Sequence, residues 1–486
     1  RHLYLRDTVR HETVLIDAPN ADAPPMEGER RPQYMTASSD GARVFFLDSE
    51  RLTADATANT NSESPDLYEY NVDAPVGSRL TDLTVDKNDG ESADVSMVTG
   101  ASEDGSYIYF TAGGALAPGA GPGACGGNNP QPGETKLCNL YVRHNGVTTF
   151  IAGLSVEDYP DWNQQLADLP ARVSPNGRWL AFMSNRNLTG YDTADANSGR
   201  PDEEVYLYEA RSGKVICASC NPTGARPVGF EKASEFRLVN ALDYYGMFAR
   251  KTWIAAIVPG WTPMDLSEAR YQSRYLSDSG RLFFDSGDGL VPQDVNGTQD
   301  VYEFEPPGVG GCSSSIATFS ESSGGCVAPV SSGTSNEESA FLDASESGGD
   351  VFFLTGAKLL PQDFDNSLDI YDARECTAVS PCISVPPLTP PPCNTGDSCK
   401  ASPSPQPAIF GSPSSATFSG AGNVTAPVVT PVVKQKDLTR AQKLARVLKL
   451  CRKKKGKQRA VCERKARSRY SVKRSSKVNA TKKGRG

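Results

Sequence analysis

Five times in this chain a serine, two small or acidic residues and a glycine lead straight into a short apolar run. The copies are SSDGARVFFLDS from Ser38, SEDGSYIYFTAG from Ser102, SPNGRWLAFMSN from Ser174, SDSGRLFFDSGD from Ser277 and SESGGDVFFLTG from Ser345. Each is followed by an aromatic strand: DLYEY at Asp66, NLYVR at Asn139, VYLYEA at Val205, DVYEFE at Asp300 and DIYDAR at Asp369. A sixth such half, HLYLRDTVRHETVLIDA, opens the chain from His2 with no Ser-acid-Gly partner before it. A repeat of this kind restricts the fold more than any total, because each unit must bury its apolar face on a neighbouring copy of itself.

The unit generates hairpins. Gly41, Gly105, Gly177, Gly280 and Gly348 supply the permissive backbone of a tight turn, and the preceding Asp, Asn or Ser can bond back to the turn's own amides. The runs Val44–Phe46 and Tyr107–Phe110 are apolar on both alternating faces, as in a strand sandwiched between two sheets. Sheets stacked face to face and repeated make a propeller. In particular SPNGRWLAFMSNRN, Ser174 to Asn187, resembles the Ser-Pro-Asp-Gly-x-x-Ile-Ala-Phe-x-Ser-x-Arg signature of WD40-like propeller repeats of the TolB type, with Asn176 in place of Asp. The likeness covers roughly residues 1 to 380 and implies a ring of six or so blades with a central channel and a binding rather than catalytic role. The turn glycines are 64, 72, 103 and 68 residues apart, so the loops are larger than in a blade of ~40 to 45 residues.

The expected fold is therefore all-β, a β-propeller of about six blades, five repeats plus an N-terminal partial blade. Residues 1–33 read as the partial blade, and 34–380 as the repeats with an insertion at 225–270. Residues 381–433, rich in Pro, Ser and Gly, read as a disordered linker; 434–470 read as a basic, disulfide-tied helical hairpin in which Gly456 is expected to stop a helix. Residues 471–486 read as a disordered basic tail. The formal charge of -8 conceals an asymmetry: from Lys434 onward 22 Lys and Arg face two acids, leaving 28 bases and 56 acids before it. An acidic body with a cationic appendage points to a polyanion partner.

Twelve cysteines fall as six neighbouring couples: Cys125 with Cys138, Cys217 with Cys220, Cys312 with Cys326, Cys376 with Cys382, Cys393 with Cys399, and Cys451 with Cys462. Local, even pairing reads as loop-stapling disulfides and as export, to the extracellular space or cell envelope. The chain opens on Arg1, so an export signal is expected upstream. No run reaches the ~18 apolar residues of a membrane span.

The phrases LVPQDVNGTQDVYEF from Leu290 and LLPQDFDNSLDIYDA from Leu359 place Asp294, Asn296 and Asp300, then Asp363, Asp365 and Asp369, at identical offsets. Alternating oxygens on a tight turn would suit calcium; the same side chains would equally serve as Asx-turn connectors. Tyr244, Tyr245, Phe248, Trp253 and Trp261 in the insertion form either a ligand-binding aromatic face or the packing of an added element. Lys453, Lys454, Lys455, Lys457 and Arg459 line the expected hairpin tip as a polyanion-binding patch.

Catalytic motifs are missing: no G-x-S-x-G elbow, no H-E-x-x-H and no P-loop occurs, and only three histidines exist. Gly121, Gly123 and Gly126 match G-x-G-x-x-G inside a Gly-rich loop, without the flanking strand and helix that give the motif meaning. No cofactor is expected beyond calcium. The favoured reading is an exported propeller that binds a protein or glycan at its face and anionic cell-surface polymers through its tail. The alternatives are a glycan or peptide hydrolase or lyase using carboxylates at the channel mouth, and a non-specific nucleic-acid binder.

Overall fold

The computed structural model describes residues 1–25, 32–59, 64–88, 91–125, 138–155, 158, 171–231, 253–259, 272–365, 367–376, 381–382, 440–453 and 456–470. The chain divides into two compact units, Arg1–Leu388 and Thr389–Gly486.

The first unit is built of six sheets in chain order. β1 (Tyr4–Asp7) and β2 (Glu12–Leu15) form the first. β3 (Gln33–Ala37), β4 (Arg43–Asp48), β5 (Asp66–Asn71) and β6 (Leu80–Asp82) form the second, and β7 (Val95–Ala101), β8 (Tyr107–Ala112), β9 (Cys138–His144) and β10 (Val147–Leu154) the third. The fourth contains β11 (Ala171–Val173), β12 (Trp179–Ser184), β13 (Asp202–Glu209) and β14 (Lys214–Cys217), extended by β15 (Phe230–Glu231) and β16 (Trp253–Ile254). β17 (Ala256–Ile257), β18 (Leu282–Ser286), β19 (Asp300–Glu305), β20 (Phe319–Ser320) and β21 (Gly325–Pro329) make the fifth; β22 (Ser339–Ala344), β23 (Asp350–Thr355) and β24 (Asp369–Arg374) make the sixth. Among the described strands pairing is antiparallel except where β16 joins β13 in parallel.

Two local devices repeat in every full unit and explain why this sequence folds as it does. The first is the turn before the second strand. Ser38 Oγ donates to Asp40 Oδ1 at 2.6 Å and accepts the Arg43 amide at 2.9 Å, while Asp40 also accepts the Ala42 amide. Ser102 with Asp104, and Ser174 with Asn176, repeat the pattern. Glycine is demanded twice over. Gly177 and Gly280 have φ of 74° and 87°, and a Cβ there would lie 2.5 Å from Tyr107 and 2.6 Å from Trp179 of the preceding sheet.

The second device is a tyrosine latch. The tyrosine of each aromatic strand is the hydrogen-bonding post for the loop that leads into that strand. The Tyr68, Tyr141, Tyr302 and Tyr371 hydroxyls accept the amides of Leu52, Leu116, Leu290 and Leu359. They donate onward to Glu50 O, Gly114 O, Asp294 and Asp363, and the Tyr206 hydroxyl donates to Arg186 O. A buried phenol must satisfy its hydroxyl, and a loop turning over a sheet must satisfy its amides; the latch does both. The ring lies beside the phenylalanine of the preceding strand, as in Phe46 with Tyr68 at 5.7 Å and Phe110 with Tyr141 at 5.5 Å between centroids.

Alternation then builds the core. In β4, Val44 and Phe46 pack with Ile16 of the first sheet's end, whereas Phe45 and Leu47 pack with Ile108, Phe110 and Tyr141 of the third sheet. The third sheet gives Tyr109 and Leu140 to Phe182 and Tyr206 of the fourth. Ala181 and Val205 meet the fifth sheet, and Phe283, stacked 5.5 Å from Phe341, meets the sixth. Each fully buried Phe, Leu or Val contributes about 1.5–3 kcal/mol. The turns add sheet-to-sheet bonds, Ser39 N to Glu103 O at 2.7 Å, Glu103 N to Pro175 O at 2.8 Å and Asn176 N to Asp278 Oδ1 at 2.7 Å. Antiparallel sheets stacked face to face in chain order are blades, so the unit is a β-propeller array of six, the first of them partial.

Five of the six cysteine couples are bonded as their spacing led us to expect: 125–138, 217–220, 312–326, 376–382 and 451–462. Cys393 and Cys399 lie outside the described residues, as do all but Pro381 and Cys382 of the linker and the 471–486 tail. In the second unit α1 (Arg440–Cys451) and α2 (Gly456–Tyr470) are joined by Cys451–Cys462, with Cys451 and Ala466 buried between them. Gly456 does not stop a helix; it opens α2, because the break falls earlier, at Arg452 and Lys453.

Candidate functional site: the acid-lined loop end

The turns occupy one end of every sheet and the latched loops the other. At the latched end each aromatic strand carries a polar residue two before its tyrosine: Asp66, Asn139, Glu204, Asp300 and Asp369. Asp66, Asn139, Asp300 and Asp369 head the aromatic motifs of the repeat and Glu204 directly precedes VYLYEA; the fold gives each a position at the same end of successive blades.

Asp66 accepts the amides of Thr57 at 2.7 Å and Ala58 at 2.6 Å and is hydrogen-bonded to Asp82. Burial raises the pKa of both carboxyls, and the neighbouring Asp66 charge adds to this for Asp82. In the third sheet the amide of Asn139 replaces the acid and donates to Gly121 O at 2.9 Å and Gly114 O at 3.3 Å. The Asn139 side chain thus holds the Gly-rich loop through the Gly121 carbonyl, and Gly123 N donates to Gly113 O at 2.7 Å; Gly126 lies outside the described residues.

The fourth sheet carries the densest group. Glu204, buried and bonded by Ser219 Oγ at 2.5 Å, is pushed up to about 8 by burial, with the charges of Asp288 and Asp202 adding. Asp202 is raised to about 7 by burial and by Asp195, Asp288 and Glu203, although the Gly229 amide at 3.1 Å opposes this. Asp288, on the fifth sheet's loop, accepts the Val228 amide at 2.9 Å and is raised by burial. Glu204, Cys217 and Cys220 place ligand atoms within 4.8 Å of one another, but the sulfurs are spent on a disulfide.

The two calcium-spaced phrases differ. Asp363, Asp365 and Asp369 bring one oxygen each within 4.8 Å of the others. Asp294, Asn296 and Asp300 are wired into the turn instead: Asp294 takes the Tyr302 hydroxyl, and Asn296 Nδ2 donates to Asp300 Oδ2 at 2.6 Å. Ser331 Oγ bonds Asp300 Oδ1 at 2.5 Å. An amide nitrogen turned toward the carboxylate is a donor, not a cation ligand.

At the opposite, turn end, Arg281 gathers Glu303 at 2.9 Å, Glu305 at 2.5 Å and Glu375 at 2.7 Å, and burial holds Glu303 at about 7. Beside it an open groove of about 520 Å³ is lined by Ser277, Asp278, Ser279, Ser345, Glu346 and Ser347. His144 stacks 3.5 Å from Tyr107 with its Nδ1 on Ser106 O, and His2 bonds Asp17 at 3.1 Å.

Of the insertion's aromatics, Tyr244, Tyr245, Phe248 and Trp261 lie outside the described residues, and Trp253 is described only as backbone of β16. In the basic patch Lys453 is exposed and Arg459 pairs with Glu463 at 2.8 Å. Lys457 is described as α2 backbone, and Lys454 and Lys455 lie outside the described residues.

No protein-family model matches this chain, and no curated protein matches it. Among solved structures it is similar to an oligogalacturonate lyase from Vibrio parahaemolyticus, at 11% identity and TM-score 0.29 over 77% of this chain and 69% of that one. It is similar to TolB from Acinetobacter baumannii at 12% and 0.24, covering 76% of this chain and 62% of that one, under two thirds of the TolB length. The β-propeller domain of the Trilobed protease from Pyrococcus furiosus gives 10% and 0.22 over 73% and 81%. The fold is a β-propeller. Its direct warrant is the stack of latched sheets; the neighbours include both TolB and enzymes and leave binding and catalysis equally open.

Proposed function

We propose that this chain is an exported, non-catalytic propeller scaffold that binds a protein or glycan at its acid-lined loop end. Its basic hairpin retains it on anionic surface polymers. The observation that carries this reading is the contrast in how charge is used. The acids of the body are bonded to main-chain amides and hydroxyls, as Asp66, Asp288 and Asp300 are. The cations of the second unit, Lys449, Arg452, Lys453, Arg464, Lys465 and Arg467, stand exposed on a hairpin tied by Cys451–Cys462. Exposed cations on a rigid support are free to pair with a polyanion; bonded carboxyls are committed to the fold. Five disulfides support an oxidising compartment. No described helix is long and apolar enough to cross a membrane.

The test is retention of the full chain on an immobilised anionic polymer across a salt gradient, beside a chain lacking residues 434–486. The reading requires strong, salt-sensitive retention that the deletion removes; equal retention of both forms contradicts it. Duplex DNAs of unrelated sequence run in parallel check the nucleic-acid alternative, which requires DNA to be held more tightly than the other polymers.

A catalytic reading is favoured by one observation, the carboxyls of Asp202 and Glu204 held near neutrality at about 7 and about 8 at the loop end, where a general acid would be useful. Product release from oligogalacturonate or from peptides, lost in Asp202→Asn, would establish it. We also assign Asp363, Asp365 and Asp369 as the calcium-binding candidate, and Asp294, Asn296 and Asp300 as its connector counterpart.

A further inference from the structure

The helical hairpin leaves out of its packing the side chains that so small a fold would bury first. α1 and α2 meet through the Cys451–Cys462 bond and through Ala466, and both Cys451 and Ala466 are buried. Val461, the one branched aliphatic of α2, is 47% exposed, and Leu450 of α1 is 57% exposed. Each is the residue immediately before one half of the disulfide, so the bond brings the two together. At about 100° of rotation per residue, a step back from each cysteine turns the side chain about a quarter turn aside. In two helices that run opposite ways, both of those steps point to the same side of the pair.

The charge around this aliphatic pair has one sign. Arg446 lies one turn before Leu450, and Arg464 and Lys465 lie one turn after Val461, on the same helix faces, and all three are exposed. α1 carries no acid, and the single acid of α2, Glu463, is turned to the opposite side, where Arg459 holds it at 2.8 Å. A polymer of anionic groups needs the cations and has no use for Leu450 and Val461. A bilayer uses both, because aliphatic side chains enter the boundary between headgroups and acyl chains while arginine and lysine ends stay at the phosphates. The two helices, of 12 and 15 residues, are suited to lying on such a surface.

We propose that the Leu450 and Val461 face of the hairpin docks in the headgroup layer of an anionic lipid bilayer, the two aliphatic side chains inserted and Arg446, Arg464 and Lys465 on lipid phosphates. This rests on the reading of the hairpin as the cationic retention element and names the surface that it meets.

Flotation of the full chain with vesicles tests this, using phosphatidylglycerol and phosphatidylcholine in equal parts beside phosphatidylcholine alone, with retention on immobilised polyphosphate as the charge-only control. The wild type is expected to float with the anionic vesicles and not with the zwitterionic ones. Leu450→Ser with Val461→Ser should weaken flotation about 10-fold or more and leave retention on polyphosphate within about twofold, which also shows that the hairpin persists. Leu450→Trp with Val461→Trp should strengthen flotation about threefold or more. The proposal is overturned, with the retention reading left standing, by a wild type that is held on polyphosphate but floats with neither vesicle, or by a serine variant that floats as the wild type does. If the serine variant loses retention and flotation together, the tryptophan variant decides, and flotation no stronger than that of the wild type overturns the proposal. A wild type that neither floats nor is retained overturns both readings.

Discussion

The fifth and sixth sheets are written in nearly the same words, LVPQDVNGTQDVYEF and LLPQDFDNSLDIYDA, and they meet different fates. Both latch the loop through a tyrosine, Tyr302 on Leu290 and Tyr371 on Leu359, and in both the tyrosine hydroxyl reaches the aspartate eight residues before it. Yet Val301 is fully buried while Ile370 is mostly exposed, and Phe283 is covered where Phe352 is not. The phrase specifies the hairpin and its latch; what lies on the outer face is decided by the next sheet. Local hydrogen bonding travels with the sequence, and burial does not.

The sharpest way to break that comparison is to place the same charge at both positions. Val301→Glu buries a carboxylate between two sheets and should cost ~4 kcal/mol or more, if the chain folds at all. Ile370→Glu, measured at a concentration where the chain is monomeric, should lie within about 0.5 kcal/mol of the wild type. Equal losses in thermal unfolding would show that the sixth sheet is covered after all.

A second effect, read as a pH dependence, belongs to the fourth sheet. Glu204 titrates at about 8 in the folded chain and at ~4.3 when unfolded, so the folded form holds a proton that the unfolded form has lost between these values. Its stabilising share is complete below pH ~4.3 and is lost as pH rises toward 8, at about 1.4 kcal/mol for each unit of displacement. The thermal midpoint should fall by several degrees from pH 5 to pH 8, and Glu204→Gln should flatten that slope. A midpoint that instead rises over this range contradicts the buried neutral carboxyl.

The smallest expected effect concerns calcium. Millimolar calcium should raise the thermal midpoint by about 1–2 °C through the sixth-sheet loop, and Asp365→Asn should abolish the rise while Asn296→Ala leaves it intact. Dependence on Asn296 would reverse the assignment of the two loops.

Much of this architecture was legible because the repeat carries its own chemistry. Ser38, Asp40 and Gly41 spell the turn, and alternation in Val44–Leu47 spells a strand covered on both sides. The latch was visible only as an aromatic habit, since nothing in one sequence says that Tyr68 bonds the Leu52 amide sixteen residues earlier. The loop-end acids were harder still. Asp66 and Asp82 share a site through a long-range strand pairing, and Glu204 meets Asp288 across two sheets. The one signal available was the polar residue two before each tyrosine, and it becomes meaningful only when the blades are stacked.

Hydrogen exchange of the monomeric full chain, followed peptide by peptide by mass spectrometry, tests the stack most directly. The account predicts slow, similar exchange across β4–β5, β8–β9, β12–β13 and β18–β19, and distinctly faster exchange in β23–β24, where Phe352 and Ile370 are exposed. Fast exchange throughout the central strands, or protection of β23–β24 equal to that of β18–β19, would contradict it.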